Sequence, residues 1–132
     1  MTDIKISPLP LNIDACINAV LHSGSGGIDV FIGTVRDTTK GKAVVALDFE
    51  AYEPMALREM TKIAEDAITQ WPVNKMVIHH RTGRLLVGEV AVIIAVIISG
   101  YDCKAAGIHP GTCLLTVRKI CIADPGFEGP VL

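Results

Sequence analysis

The sequence predicts an α+β domain, a largely antiparallel or mixed sheet with a helix packed on one face. Three observations carry this. A nine-residue apolar run, Val90–Ile98, is too short for a membrane helix, which needs roughly 20 residues, and fits a buried strand. A strongly amphipathic segment spans Pro54–Trp71, and strand-like segments flank it on both sides in the order β-β-α-β-β. A length of 132 residues, half of them hydrophobic, is enough for one domain with a real core.

In chain order, Met1–Pro10 reads as an edge strand or an arm. Asn12–Leu21 reads as a short helix, because Ile13, Cys16, Ile17, Val20 and Leu21 recur at helical spacing and Asn12 and Asp14 suit a first turn. The run from Ser23 to Gly27 ends it in a glycine-rich loop. Ile28–Val35 is a β-branched strand with Ile28, Val30 and Ile32 on one face. Arg36–Lys42 is a polar turn, and Ala43–Ala51 a second strand in which Val45, Leu47 and Phe49 alternate with Ala46, Asp48 and Glu50. The helix comes next. Pro54 sits where a missing N–H costs little, Met60, Ile63, Ala64, Ala67, Ile68 and Trp71 form one stripe, and Pro72 stops it. Asn74–His80 is a strand, Arg81–Gly88 a turn region with two glycines, and Glu89–Ile98 the last strand. Beyond Ser99, glycines and prolines interrupt every candidate element, and Thr112–Ile122 fits a strand or a short helix equally.

Composition excludes several functions. A net charge of −2 provides no basic field for nucleic acid, and 5% aromatic residues provide no base-stacking surface. No stretch has the length to cross a membrane, and the N-terminus lacks a basic region and a cleavage-site pattern, so the expected location is the cytoplasm. Cys16, Cys103, Cys113 and Cys121 form no C-x-x-C pair, and no histidine lies at zinc-finger spacing from them. Reduced thiols are the expectation.

Three constellations carry candidate chemistry. Gly33-Thr34-Val35-Arg36-Asp37 ends a strand, and Arg36 is either a planar fork for phosphate or carboxylate or a solvated turn arginine. Phe49–Met55 runs a strand into a helix; Glu50 and Glu53 suit acid–base work or simple helix entry, with Tyr52 as a packing aromatic. His79 and His80, adjacent on a strand, point to opposite faces and cannot share one metal, so no metal site is expected; Arg81 and Arg84 either add charge to an anion site or lie on the surface.

Taken together, Gly33–Asp37, a polar turn, Val44–Ala56, an amphipathic helix ending in Trp71-Pro72, then His79–Val92 resemble the large, catalytic subunit of molybdopterin synthase from about Gly26 to Ser99. The resemblance implies the α/β hammerhead fold and a homodimer within a heterotetramer. A small ubiquitin-like subunit inserts its thiocarboxylated tail into each site. Sulfur passes to cyclic pyranopterin monophosphate, making the dithiolene of molybdopterin, and no metal or redox cofactor is required. Phosphate and tail are both negative, so the pocket needs cations. By position, Arg36, with Thr34 and Val35 beside it, matches the family's substrate-binding strand end, and Arg81 matches an arginine that comes after the family's histidine, here His80.

The pattern then breaks, so that residues 100–132 form an atypical tail of the 1–132 domain. Where the family has Ser-x-His-Arg, this chain has Ser99-Gly100-Tyr101-Asp102, which puts Tyr101 and Asp102 at the family's anion-binding positions. Arg118 and Lys119 fall near the family's first catalytic lysine, and Lys104 is the other candidate. The family's subsequent Pro, aromatic pair and further basic pair have no counterpart. The break is consistent with a divergent copy that keeps only dimer and partner surfaces, with a variant transcript or allele, or with a shifted reading frame.

Overall fold

The structure, a computed structural model, describes residues 1–98. Tyr101, Asp102, Cys103, Lys104, Cys113, Arg118, Lys119 and Cys121 lie outside the described residues.

The N-terminal segment is strand β1 (Thr2–Ser7), succeeded by helix α1 (Ile13–Val20). The Asn12 side chain starts the helix: its Oδ1 accepts the Ala15 N–H at 2.9 Å, satisfying an orphan donor of the first turn. Strand β2 (Gly27–Thr34) leads into a small hairpin of β3 (Thr38–Thr39) and β4 (Lys42–Ala43). Lys40 and Gly41 both have positive φ there, as a two-residue hairpin loop with the right twist requires. The expected polar turn is therefore itself a hairpin. Strand β5 (Ala46–Phe49) is shorter than the expected Ala43–Ala51, because Ala43 pairs with Thr38 in the hairpin and the chain bends at Val45, whose side chain is 77% exposed. Helix α2 (Glu53–Gln70) has Pro54 in its first turn and buries Met60, Ile63, Ala64 and Ala67, the predicted stripe. Tyr52, expected to pack, is 71% exposed at the helix entry.

Strand β6 (Val73–Arg81) precedes β7 (Gly83–Leu86), which lies within the region expected from its glycines to be a turn, and β8 (Val90–Ile98). Four strands form the main sheet in the order β1-β6-β8-β2. β1 runs parallel to β6, and β8 is antiparallel to both of its neighbours. Helix α1 packs on one face, against β8, β6 and β2; α2 packs on the other, against β6 and β1.

This arrangement explains the apolar run. Along β8, Ile93, Ala95 and Ile97 join Cys16 and Val20 under α1. Ile94, Val96 and Ile98 join Met60, Ala64 and Ala67 under α2. A strand covered on both faces reads as continuous hydrophobicity rather than alternation. Each such isoleucine stabilises the fold by about 1.5–3 kcal/mol.

β5 and β7 pair separately as a two-stranded sheet. It is held to one end of the main sheet by a third cluster, Val35, Leu85 and Ala91, with Val44, Leu47 and Phe49 around it.

Candidate functional site: a rim where strand ends converge

Because β8 is antiparallel to both β6 and β2, those two strands point the same way. Their C-terminal ends meet at one rim of the sheet, on either side of the start of β8. The register places Thr34 opposite Val90 and His80 opposite Val92. The other rim holds Gly27, Val73 and Ile98, the last described residue. Thr34, Val35 and Arg36 are thereby brought to the same rim as His80 and Arg81, although more than forty positions separate them in the sequence.

Gly33 permits this rim. A Cβ there would meet Val92 Cγ1 at 2.6 Å, so a side chain is excluded by the neighbouring strand. The register shifts at Gly33/Thr34, leaving β8 one residue longer than its partner. Such a bulge re-aims the residues beyond it. The Thr34 side chain is exposed, Val35 is buried at 4%, and Arg36 is exposed. Among the described residues the Arg36 guanidinium makes no hydrogen bond or ion pair, so no carboxylate offsets its charge. Val35 offers a ligand no side chain. Its isopropyl group packs on Leu85 and Ala91 and anchors the residues on either side.

Arg81 is placed differently. It is 14% exposed; its Nη1 donates to Glu89 Oε1 at 3.2 Å and its Nε to the Pro8 carbonyl at 3.5 Å. Arg84 reaches Asp48 at 3.5 Å across β5 and β7, an exposed pair of small energetic consequence. Glu50 and Glu53 are exposed.

Beside the rim, on the α2 face, lies a cavity of about 240 Å³. Gly33, Thr34, Phe49, Met60, His80 and Val92 are among its lining residues, and its walls are mainly apolar. His80 donates from Nδ1 to the Arg81 carbonyl at 2.8 Å and meets the Phe49 ring edge-on at a centroid distance of 5.3 Å. Burial pushes its pKa down, only partly countered by that hydrogen bond, so the ring is neutral at pH 7. His79 points to the other face as expected. Its Nε2 lies 3.0 Å from Asp3 Oδ2 and its Nδ1 3.2 Å from Cys16 Sγ, which ties β1 and α1 to β6. Burial, then the nearby Asp3 carboxylate, raises the Cys16 pKa, so this fully buried group is a thiol rather than a nucleophile. No three His, Cys, Asp or Glu side chains among the described residues are grouped to hold a metal ion.

Sequence reasoning missed Glu89. Its carboxylate accepts from Arg81 and, at 2.6 Å, from the Leu86 N–H, and its carbonyl accepts the Val35 N–H at 3.0 Å. The Leu86 N–H above all, then Arg81, holds its carboxyl below the usual range. Only the glycine before it, Gly88 at φ +87°, hinted at a constrained turn.

No helix among the described residues is long and apolar enough to cross a membrane. The chain is 47% identical over 88 residues to the molybdopterin synthase catalytic subunit of Nostoc sp., covering 66% of this chain and 53% of that protein. It thus spans about half the length of this curated relative. Among solved structures, the molybdopterin biosynthesis MoaE protein of Burkholderia ambifaria superposes with a TM-score of 0.73 at 28% identity, covering 92% of this chain and 74% of that one. Molybdopterin synthase from Staphylococcus aureus superposes with a TM-score of 0.71 at 29% identity, covering 86% and 82%. The pattern of the MoaE protein family matches residues 6–100, and with that stretch spanning both the Arg36 rim and the buried β8, this chain belongs to the MoaE family.

Proposed function

We propose that the chain acts as the catalytic subunit of a cytoplasmic molybdopterin synthase. In this reading it takes the thiocarboxylated tail of a small ubiquitin-like subunit and transfers its sulfur to cyclic pyranopterin monophosphate, as a homodimer within a heterotetramer. The observation that carries the reading is the Arg36 guanidinium at the strand-end rim, without a partner among the described residues and beside a cavity that Thr34 lines. An anionic substrate gains charge-assisted hydrogen bonds there, and a guanidinium suits a phosphate in both geometry and charge.

Roles divide accordingly. Arg36 holds the substrate phosphate, and the Thr34 hydroxyl adds a donor or acceptor beside it. Arg81, already engaged by Glu89, adds positive charge at the same rim while fixing its shape. A basic residue of the tail, Lys119 with Arg118 or else Lys104, serves as acid–base group, with a pKa lowered by surrounding cations. Tyr101 and Asp102 occupy the positions of a second anion contact. The last described residue lies at the opposite rim from Arg36, which supports a site completed by the neighbouring chain of a dimer.

The departure at Tyr101 and Asp102 favours a second reading, a family member that binds the small subunit without turnover. Mixing the full chain with thiocarboxylated small subunit and cyclic pyranopterin monophosphate separates the two. Catalysis predicts molybdopterin; a stable complex without product rejects catalysis and leaves the binding role.

A further inference from the structure

The geometry points to Glu89 as a positioning residue that holds the Arg36 strand end in its substrate-binding pose, through Val35. The inference rests on the anion-site reading above and goes one step further, from the cation that binds to the group that aims it.

Glu89 is the residue at which three structural elements of the rim are tied. Its main-chain carbonyl accepts the Val35 N–H at 3.0 Å, one residue before Arg36 in the chain. The Val35 carbonyl in turn accepts the Gly88 N–H at 2.7 Å, so the residue preceding Arg36 is gripped at both polar groups by the Gly88-Glu89 turn. That turn is fixed by the Glu89 side chain. Oε2 accepts the Leu86 N–H at 2.6 Å, while the Glu89 N–H donates to the Leu86 carbonyl at 3.1 Å and closes the turn. Oε1 accepts from Arg81 Nη1 at 3.2 Å, which anchors the turn to the end of β6. Arg81, 14% exposed and also held by the Pro8 carbonyl, is a rigid post for it. Arg36 itself has no side-chain partner among the described residues, so among them it is the backbone that sets where its side chain starts. A small displacement of a binding group costs far more than the bond that prevented it.

The side chain's length and its two acceptors both matter. Both oxygens are used on separate donors, so Glu89→Gln keeps the reach but only one acceptor, and its amide NH2 faces the other donor. Glu89→Asp keeps the charge but is one methylene too short to span Leu86 and Arg81 together.

The test is a double-mutant cycle on the full chain, reading the dissociation constant for cyclic pyranopterin monophosphate, with thermal unfolding of each variant alongside. Arg36→Ala is expected to weaken binding at least about tenfold. Glu89→Ala is expected to weaken it about five- to tenfold, and Glu89→Asp and Glu89→Gln in the same direction by less. In the Arg36→Ala background, Glu89→Ala is expected to add nothing, because there is no longer a guanidinium to misplace. Losses that multiply in the double variant, or an unchanged constant in both Glu89→Ala and Glu89→Asp, overturn the positioning role while leaving the anion site standing. An unchanged constant in Arg36→Ala alone overturns the anion site and the inference with it. Should Glu89→Ala fail to fold, the same cycle with Glu89→Asp decides.

Discussion

The two ends of β8 differ as if they belonged to different proteins. From Ile93 to Ile98 every residue is buried, with alternate side chains entering the two cores. From Val90 to Val92 the strand is bulged and partly exposed, and Glu89 just before it bonds Arg81 and Leu86 through its carboxylate and Val35 through its carbonyl. The first half stabilises; the second half, carrying fewer buried contacts, is free to shape a site. The proposed function uses the end where burial stops, because a cation meant for a ligand has to remain uncompensated until the ligand arrives.

The sharpest way to break this contrast is to cut both halves equally. Ile94→Ala, at a position 1% exposed, is expected to cost about 2–5 kcal/mol in urea unfolding. Val90→Ala, at the half-buried end, is expected to cost less than half as much. Equal losses would remove the distinction. Next in size, Gly33→Ala forces a Cβ against Val92 Cγ1 and is expected to destabilise by about 1–3 kcal/mol, with the disturbance concentrated in amide exchange at Thr34–Arg36. Exchange changes spread over β1 instead would place the role of Gly33 elsewhere.

A gentler probe is pH. The folded-state pKa of His80 is depressed, so below the unfolded value of about 6.5 the unfolded chain binds a proton that the folded chain does not. Stability is therefore full above that value and falls as pH drops toward the folded pKa. Glu89 is likewise depressed, and its contribution is present above the ordinary carboxylate range and lost as pH falls through its folded value. Two successive declines are expected in unfolding midpoints between pH 7 and pH 3. His80→Phe is expected to remove the first and leave the second; a first decline that survives the substitution assigns it to another group.

Much of the buried half was legible in the sequence. The β8 run announced a buried strand, though not that helices cover both its faces, the Met60–Ala67 stripe announced α2, and Asn12 announced the start of α1. The rim was less so. β7 has one inward residue, Leu85, between glycines, and four residues with a single buried position carry no period to detect. β5 was overextended because Val45 resembles a core residue while pointing outward. The parallel pairing of β1 with β6 joins residues more than seventy positions apart, beyond the reach of local pattern. Arg36 stood out as a cation at a strand end, and the family resemblance gave it a role. That Arg81 would be spoken for by Glu89 depends on strand order, which no stretch of sequence states.

The most direct measurement is titration of cyclic pyranopterin monophosphate into the full chain, its Arg36→Ala form and its Arg36→Lys form, each shown to be folded. An affinity at least about tenfold weaker for alanine, with lysine in between, is the outcome that an uncompensated phosphate-binding guanidinium predicts. Three equal affinities would contradict it and leave the rim a structural feature of the fold.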